Sequence, residues 1–313
     1  MKNVEIVAGV VLLCAAGGPT GCRSPQNARD AQEFSTPTQA TSAGQQLGAL
    51  AAGQNGFRWP TGRRAAISLT FDDARPSQVD RGLPILDAYG VKATFYVVPS
   101  GVEQLAAPAA GQRLAGWKKA VANGHEIGNH TAKHPCSGNF SWSREKALEN
   151  YSLPEMQREL DQANAAIERL LGVKPTTFAY PCGQKFVGRG LSVRSYVPLV
   201  AERFIVGRGA FDEVGNDPNF CDLAQATGVS LDGLDFDQAK QLIDKAAAEG
   251  RWLIFFGHEI GPVGHQTIAT STLQALCRYA QDPANGLWID TVETIGRYIL
   301  KQRTQNGKLK IEN

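Results

Sequence analysis

The 313-residue chain has no Cys-X-X-Cys pair, no run of lysines and arginines, no internal repeat and no apolar stretch of bilayer-spanning length. Each absence closes off a class. Without paired cysteines there is no basis for a structural zinc ribbon. Lys and Arg number 32 against 30 Asp and Glu, a net charge of +2, so no basic stripe is available and nucleic acid is not an expected partner. The lack of a fixed period sets aside solenoids and propellers. The most apolar segment, Ile6 to Ala16, has eleven residues, whereas a membrane-spanning helix needs about 20. What remains is an ordinary globular composition, 42% apolar and 20% charged. It is too apolar for wholesale disorder. The length allows one large α/β domain or two smaller ones.

The run Ile6 to Ala16, after Lys2 and before small residues, has the length of a signal-peptide core. Cys22 follows Gly-Pro-Thr-Gly, which is similar to a bacterial lipoprotein processing site, with Pro19 in an unusual place. Residues 1–22 are therefore expected to be an export signal, of lipoprotein type in one variant. The protein would then be periplasmic, extracellular or a membrane-anchored lipoprotein, touching a membrane only through an N-terminal lipid. Residues 23–56 are rich in Gln, Ala, Thr, Ser and Gly without apolar periodicity and read as a flexible linker. Residues 57–313 are the expected folded domain. Cys14 and Cys22 fall in the leader, leaving Cys136, Cys182, Cys221 and Cys277. An oxidising compartment would allow one or two disulfides among these four, with three possible connectivities.

Along the domain, apolar runs alternate with amphipathic segments. Strands are expected at 65–71, 92–98, 125–128, 176–180, 203–207, 252–256 and 287–290. Helices are expected at 79–89, 111–123, 154–171, 236–248, 272–280 and 292–301, several of them closed by a glycine. Such alternation gives a parallel sheet with helices outside it. Chemically capable residues sit just after strands: Asp72, Asp73, His130, His134 and His258. In a barrel or a doubly wound sheet that is the rim where catalytic residues gather. Because they come from strands spread along the whole chain, a barrel is favoured.

Four pieces carry chemistry. Thr70-Phe-Asp-Asp73 ends a buried strand in two carboxylates, which need partners if buried; alone, such a pair is equally a solvated turn. In His130-Thr-Ala-Lys-His134 the i, i+4 spacing puts both imidazoles on one face of a helical turn, which Pro135 must end. His258 follows the apolar strand 252–256; burial there and any metal charge nearby are expected to pull its pKa down, with Asp72 or Glu259 opposing. Phe178-Ala-Tyr-Pro-Cys-Gly183 is a strand running into a turn that can aim backbone N–H groups at an oxyanion.

Together these pieces resemble the polysaccharide deacetylases of the NodB-homology type, carbohydrate esterase family four, over residues 60 to 300. Asp72-Asp73 look like its first motif, the stretch from Gly124 through His134 its second, Tyr180-Pro-Cys-Gly183 part of its third, and Phe255-Phe-Gly-His258 its last, with Phe256 where Leu is usual. The resemblance implies a distorted (β/α) barrel of parallel strands with outer helices. It implies one divalent metal, Zn²⁺ first and Co²⁺, Ni²⁺ or Mn²⁺ as substitutes, on Asp73, His130 and His134. It makes Asp72 the general base and His258 the general acid. Tyr180, Pro181 and Cys182 would border the oxyanion and substrate, with the Cys182 N–H in the position usually held by Tyr. The implied reaction is removal of acetyl groups from N-acetylated sugars of an acetylated polysaccharide. An O-acetyl esterase acting on a glycan such as xylan is a rival, as is a silent carbohydrate-binding relative.

The sequence departs from the family in two places. Ala179 stands where the family carries an Arg that orients the base, and the fourth motif has no clear counterpart between Arg208 and Leu234. Arg208 is a candidate replacement or else a structural charge. Cys136 and Cys182 should both border the mouth of the site, so a Cys136–Cys182 bridge is expected, leaving Cys221 and Cys277 paired or free. Trp142, Phe140 and Trp117 are candidates for sugar stacking or for packing. His265 would border the cleft or lie outside it, and His125 is expected to be structural.

Overall fold

A computed structural model describes residues 56–103 and 110–305 of the chain. The expected signal, lipoprotein site and most of the linker lie outside the described residues. The strands are β1 (Ala65–Asp72), β2 (Thr94–Val97), β3 (Glu126–Asn129), β4 (Thr177–Ala179), β5 (Phe186–Val187), β6 (Arg194–Ser195), β7 (Val206–Arg208), β8 (Val229–Ser230), β9 (Trp252–Gly257), β10 (Glu259–Gly261), β11 (Thr267–Ala269) and β12 (Leu287–Ile289). The helices are α1 (Leu83–Ala88), α2 (Pro99–Glu103), α3 (Ala110–Ala122), α4 (Leu153–Leu171), α5 (Val197–Arg203), α6 (Phe236–Glu249), α7 (Thr270–Gln281) and α8 (Val292–Gln305).

Eight strands form one parallel sheet in the order β7-β4-β3-β2-β1-β9-β8, with β12 also paired to β1. All eight residues of β1 are buried. Both of its faces are covered, so Ser68 and Thr70 are as buried as Ile67, Leu69 and Phe71. The sheet curls until its ends meet: Arg208 on β7 bridges Ala226, just ahead of β8, and Gly209 N donates to Ala226 O at 2.7 Å. Gly207 permits this seam, because a Cβ there would lie 2.4 Å from Ala224 O and 2.7 Å from Val200 Cγ1. The result is the expected parallel barrel with outer helices. Parallel strands put all their C-terminal ends on one rim.

Local sequence explains the helix ends. Ser152 and Glu155 form a capping box at the start of α4, and Gly172 closes it at φ 72°. Asp235 and Gln238 do the same for α6, closed by Gly250 at φ 68°. The largest apolar cluster packs Phe71, Phe95 and Trp117 between the sheet and α1, α3, α6 and α7. Trp117 is therefore a core residue, 1% exposed, and not a sugar platform. His125 is also structural: it packs on Phe95 and its Nε2 pairs with Asp87 at 3.1 Å.

The short strands β5, β6, β10 and β11 and helix α2 were not expected, and three further differences from the sequence reading bear on the site. Residues 197–203 form helix α5, and the strand expected from 203 is confined to 206–208. The two-residue strand β8 was not anticipated. The third difference is at the histidine pair. Residues 130–135 are not helical; Thr131 and His134 take left-handed backbone at φ 64° and 54°. Pro135 makes the right-handed helical region unfavourable for His134. The loop closes instead through His134 N donating to Thr131 Oγ1 at 2.9 Å.

Candidate active site

Asp72, Asp73, His130, His134, Tyr180, Cys182 and His258 all line one cleft of 900 Å³ at the C-terminal rim. The seven non-glycine residues with positive φ among the described residues are Asp73, Ala74, Thr131, His134, Cys182, Phe211 and Gln266. Each of them lines this cleft or adjoins a residue that does. Left-handed backbone costs about 1–2 kcal/mol per non-glycine residue, and such strain gathers where geometry serves chemistry.

β1 ends at Asp72, and positive φ at Asp73 (74°) breaks the strand's alternation, so both carboxylates reach the cleft. Asp73 Oδ1 lies 3.6 Å from His130 Nε2 and 3.4 Å from His134 Nε2. Two donors on one tetrahedral zinc-like ion, each about 2.0–2.1 Å from it, stand about 3.3 Å apart. His130 Nδ1 donates to Ala179 O at 2.8 Å, which leaves the Nε2 lone pair facing Asp73. Burial, with His130 beside it, pushes His134 down to about 4, so its imidazole is neutral at pH 7. Burial alone would raise the Asp73 carboxyl, but His130, His134, His258 and Arg75 outweigh it and hold it below its ordinary value. Two imidazoles and one carboxylate are a donor set that suits a divalent cation. A second cluster, His134 with Cys136 and Cys182, is not one, because its sulfurs are joined to each other.

The histidine loop is fastened from below. Asn129 Oδ1 accepts from Thr131 N at 2.7 Å, and the buried Glu159 of α4 accepts from Lys133 N at 2.8 Å. The Cys136–Cys182 disulfide ties this loop to the turn after β4, as expected, and Cys221 and Cys277 are free. The bridge spans 46 positions. Replacing both cysteines with serine should lower unfolding free energy by about 2–4 kcal/mol. Urea unfolding of the oxidised protein and the double variant measures this; equal midpoints would show that the bridge adds no stability.

Asp72, 4% exposed, accepts a hydrogen bond from Arg208 Nη2. Arg208 is fully buried between the rings of Tyr96 and Phe256, 5.1 and 5.0 Å from their centroids, and its Nη1 donates to Gly209 O at 2.9 Å. A buried guanidinium without such partners would be strongly unfavourable. Across the cleft, Asp232 grips His258 twice: Oδ2 is 2.6 Å from Nδ1, and Oδ1 accepts from the backbone N at 3.1 Å. Burial lowers the His258 pKa, but Asp232, Asp72 and Asp73 reverse it, and the net shift is upward. The depression expected from burial is thus outweighed by the carboxylates. Glu259, the other expected influence, is turned to Ser77. Gln78 Nε2 links the two halves, donating to Asp72 O at 2.6 Å and His258 O at 2.9 Å.

A family model for polysaccharide deacetylase matches residues 57–189. Residues 57–189 thus match the polysaccharide deacetylase domain that the motifs resemble. The uncharacterized protein YlxY of Bacillus subtilis is 35% identical over 105 residues, 34% of this chain and 27% of that protein. PgdA of Listeria monocytogenes, a peptidoglycan-N-acetylglucosamine deacetylase, is 31% identical over 118 residues, 37% of this chain and 21% of that protein. The matched parts are thus little more than a quarter of the one relative and a fifth of the other. A crystal structure from Mycobacterium smegmatis, of a protein assigned to the polysaccharide deacetylases, shares the fold at a TM-score of 0.53 and 16% identity, over 79% of this chain and 94% of that one.

Set beside the deacetylase pattern, the missing Arg at Ala179 has a geometric answer. β4 and β7 pair in parallel with Ala179 beside Arg208 in register. Register neighbours point to the same face, so the guanidinium enters the barrel next to the position the family uses. Asp232 was missed in sequence because it follows a strand of two residues, too short for a periodic signal. Tyr180 is buried, and its hydroxyl donates to Ala224 O at 2.6 Å, leaving only its ring at the cleft. Pro181 is buried beneath the turn, and Cys182 takes φ 54°. Phe140 and Trp142 are exposed, stack at 5.5 Å and line the cleft, as does His265.

Proposed function

We propose that this protein is a metal-dependent hydrolase that removes acetyl groups from N-acetylated sugars of a cell-envelope or extracellular polysaccharide. The observation that carries the reading is the convergence of Asp73, His130 and His134 on one point, with Asp72 and His258 lining the same cleft. These three ligands would hold one divalent ion, zinc by its preference for imidazole and carboxylate. When bound, that ion supplies an electrophile for the acetyl carbonyl and lowers the pKa of water.

The chain's own residues do the rest. Asp72, oriented by Arg208, takes the proton as water attacks the acetyl carbon. The Cys182 N–H donates to the oxygen that gains charge. His258, whose pKa is raised, carries its proton on Nε2 and gives it to the departing amine. The C–N bond breaks, and acetate and a free amino sugar leave. The hexosamine substrate is supported by the activity that PgdA is named for, deacetylation of peptidoglycan N-acetylglucosamine. Export is supported by the apolar N-terminal run, with lipid attachment at Cys22 as one form of it.

Acetate release from chitooligosaccharides, peptidoglycan and acetylxylan tests the reading. Release from an N-acetylated glycan is expected; release from acetylxylan alone would make the protein an ester hydrolase. Elemental analysis should find one divalent ion per chain. Chelation should abolish acetate release and Zn²⁺ restore it, and full activity in stripped protein would sink the metal assignment.

A further inference from the structure

Beside the catalytic cleft lies a second hollow of 390 Å³, lined among others by Ser137, Leu148, Glu149, Gln184, Lys185 and Phe186. Its size falls within the range of small-ligand sites, about 300–1,000 Å³. Gln184 lines both spaces. The disulfide marks the boundary between them: Cys182 faces the cleft, while Ser137 and Gly183, the residues after the two cysteines, line the hollow. Lys185 extends the connection, its ammonium 5.7 Å from the ring of Tyr180, which lines the cleft.

The polar groups here are fixed in place. Gln184 Oε1 accepts from Ser137 N at 2.7 Å. Glu149 accepts from Ser137 Oγ at 2.5 Å and Gly138 N at 2.9 Å. Opposite them in kind stands Phe186, a large apolar ring 57% exposed on the short strand β5. Leu148, 3% exposed, forms part of the apolar lining. An open aromatic face beside preorganised hydrogen-bonding groups suits a pyranose ring, which has an apolar C–H face and a polar rim.

We propose that this hollow is a second sugar subsite, which takes another ring of the same glycan chain over the face of Phe186. The inference rests on the glycan reading above and adds to it: the protein would favour a polymer over a short oligomer. Steady-state acetate release from chitohexaose and chitobiose tests it in the full, metal-loaded protein. Phe186→Ala should raise KM for chitohexaose about three- to tenfold, the loss typical of one aromatic contact. KM for chitobiose should stay unchanged, and Phe186→Tyr should keep the wild-type KM for chitohexaose. An unchanged chitohexaose KM, or an equal rise on both oligomers, would overturn the subsite while leaving the glycan reading intact. Acetate release from neither oligomer by the wild-type protein, alongside release from acetylxylan, would overturn both.

Discussion

Asp72→Asn is expected to lower kcat by about 10²-fold or more, the range of a lost general base, while metal occupancy stays near one per chain. The geometry separates the two neighbouring carboxylates. Asp73 Oδ1 is 3.6 and 3.4 Å from the two imidazole nitrogens. Asp72 Oδ2 is 3.9 Å from His130 Nε2, and its Oδ1 is taken by Arg208. An asparagine keeps an oxygen for Arg208 but cannot accept the proton of the attacking water. Elemental analysis beside single-substrate kinetics reads both quantities. A variant that loses its metal would make Asp72 a ligand and reverse the assignment of the pair.

His258→Ala should depress deacetylation of an amide by about 10²-fold or more and harm hydrolysis of an activated ester far less. An amine leaves only if protonated, whereas a good leaving group departs without help. The pH profile of kcat/KM should be bell-shaped. It rises as the base side deprotonates and falls as His258 loses its proton, each limb reporting coupled groups. Asp232 raises the His258 pKa through its hydrogen bond to Nδ1, whereas a cation held by Asp73 would lower it, so the alkaline limb should depend on Asp232. Asp232→Asn removes that support, so the limb should move to lower pH. An alkaline limb unmoved by Asp232→Asn, together with equal losses on amide and ester in His258→Ala, would remove His258 from the acid role.

Much of the scaffold was legible because its signals are local. Ser152 and Glu155 ahead of an amphipathic run, with Gly172 behind it, define α4 without reference to anything distant. Buried strands such as β1 and β9 announce themselves as apolar runs, because both faces of a parallel sheet are covered. Of the two strands at the seam, β7 was expected three residues early and β8 was not expected at all. β8 has two residues and β7 three, and neither length can show a period. These two strands flank the seam where the sheet closes, and they or the loop after them carry Arg208 and Asp232. Of the two residues that tune the base and the acid, Arg208 was a sequence candidate and Asp232 was not visible.

The residue types and spacings at Asp72-Asp73, His130, His134 and His258 come from the sequence, as do the strand–helix alternation and the expectation that Cys136 and Cys182 meet. Each depends on a pattern within one segment, or on two segments flanking the same predicted rim. Tertiary structure alone decided three things. Glu159 of α4 and the Cys136–Cys182 bridge hold the histidine pair in a left-handed loop rather than a helical turn. Register between β4 and β7 placed Arg208 beside Ala179 and against Asp72. The loop after β8 brought Asp232 to His258 and reversed the sign of its pKa shift. Partners 26 and 136 positions apart in the chain meet only when the sheet closes. Electrostatic effects depend on distance in space rather than in sequence, so those pairings had no local signature to read.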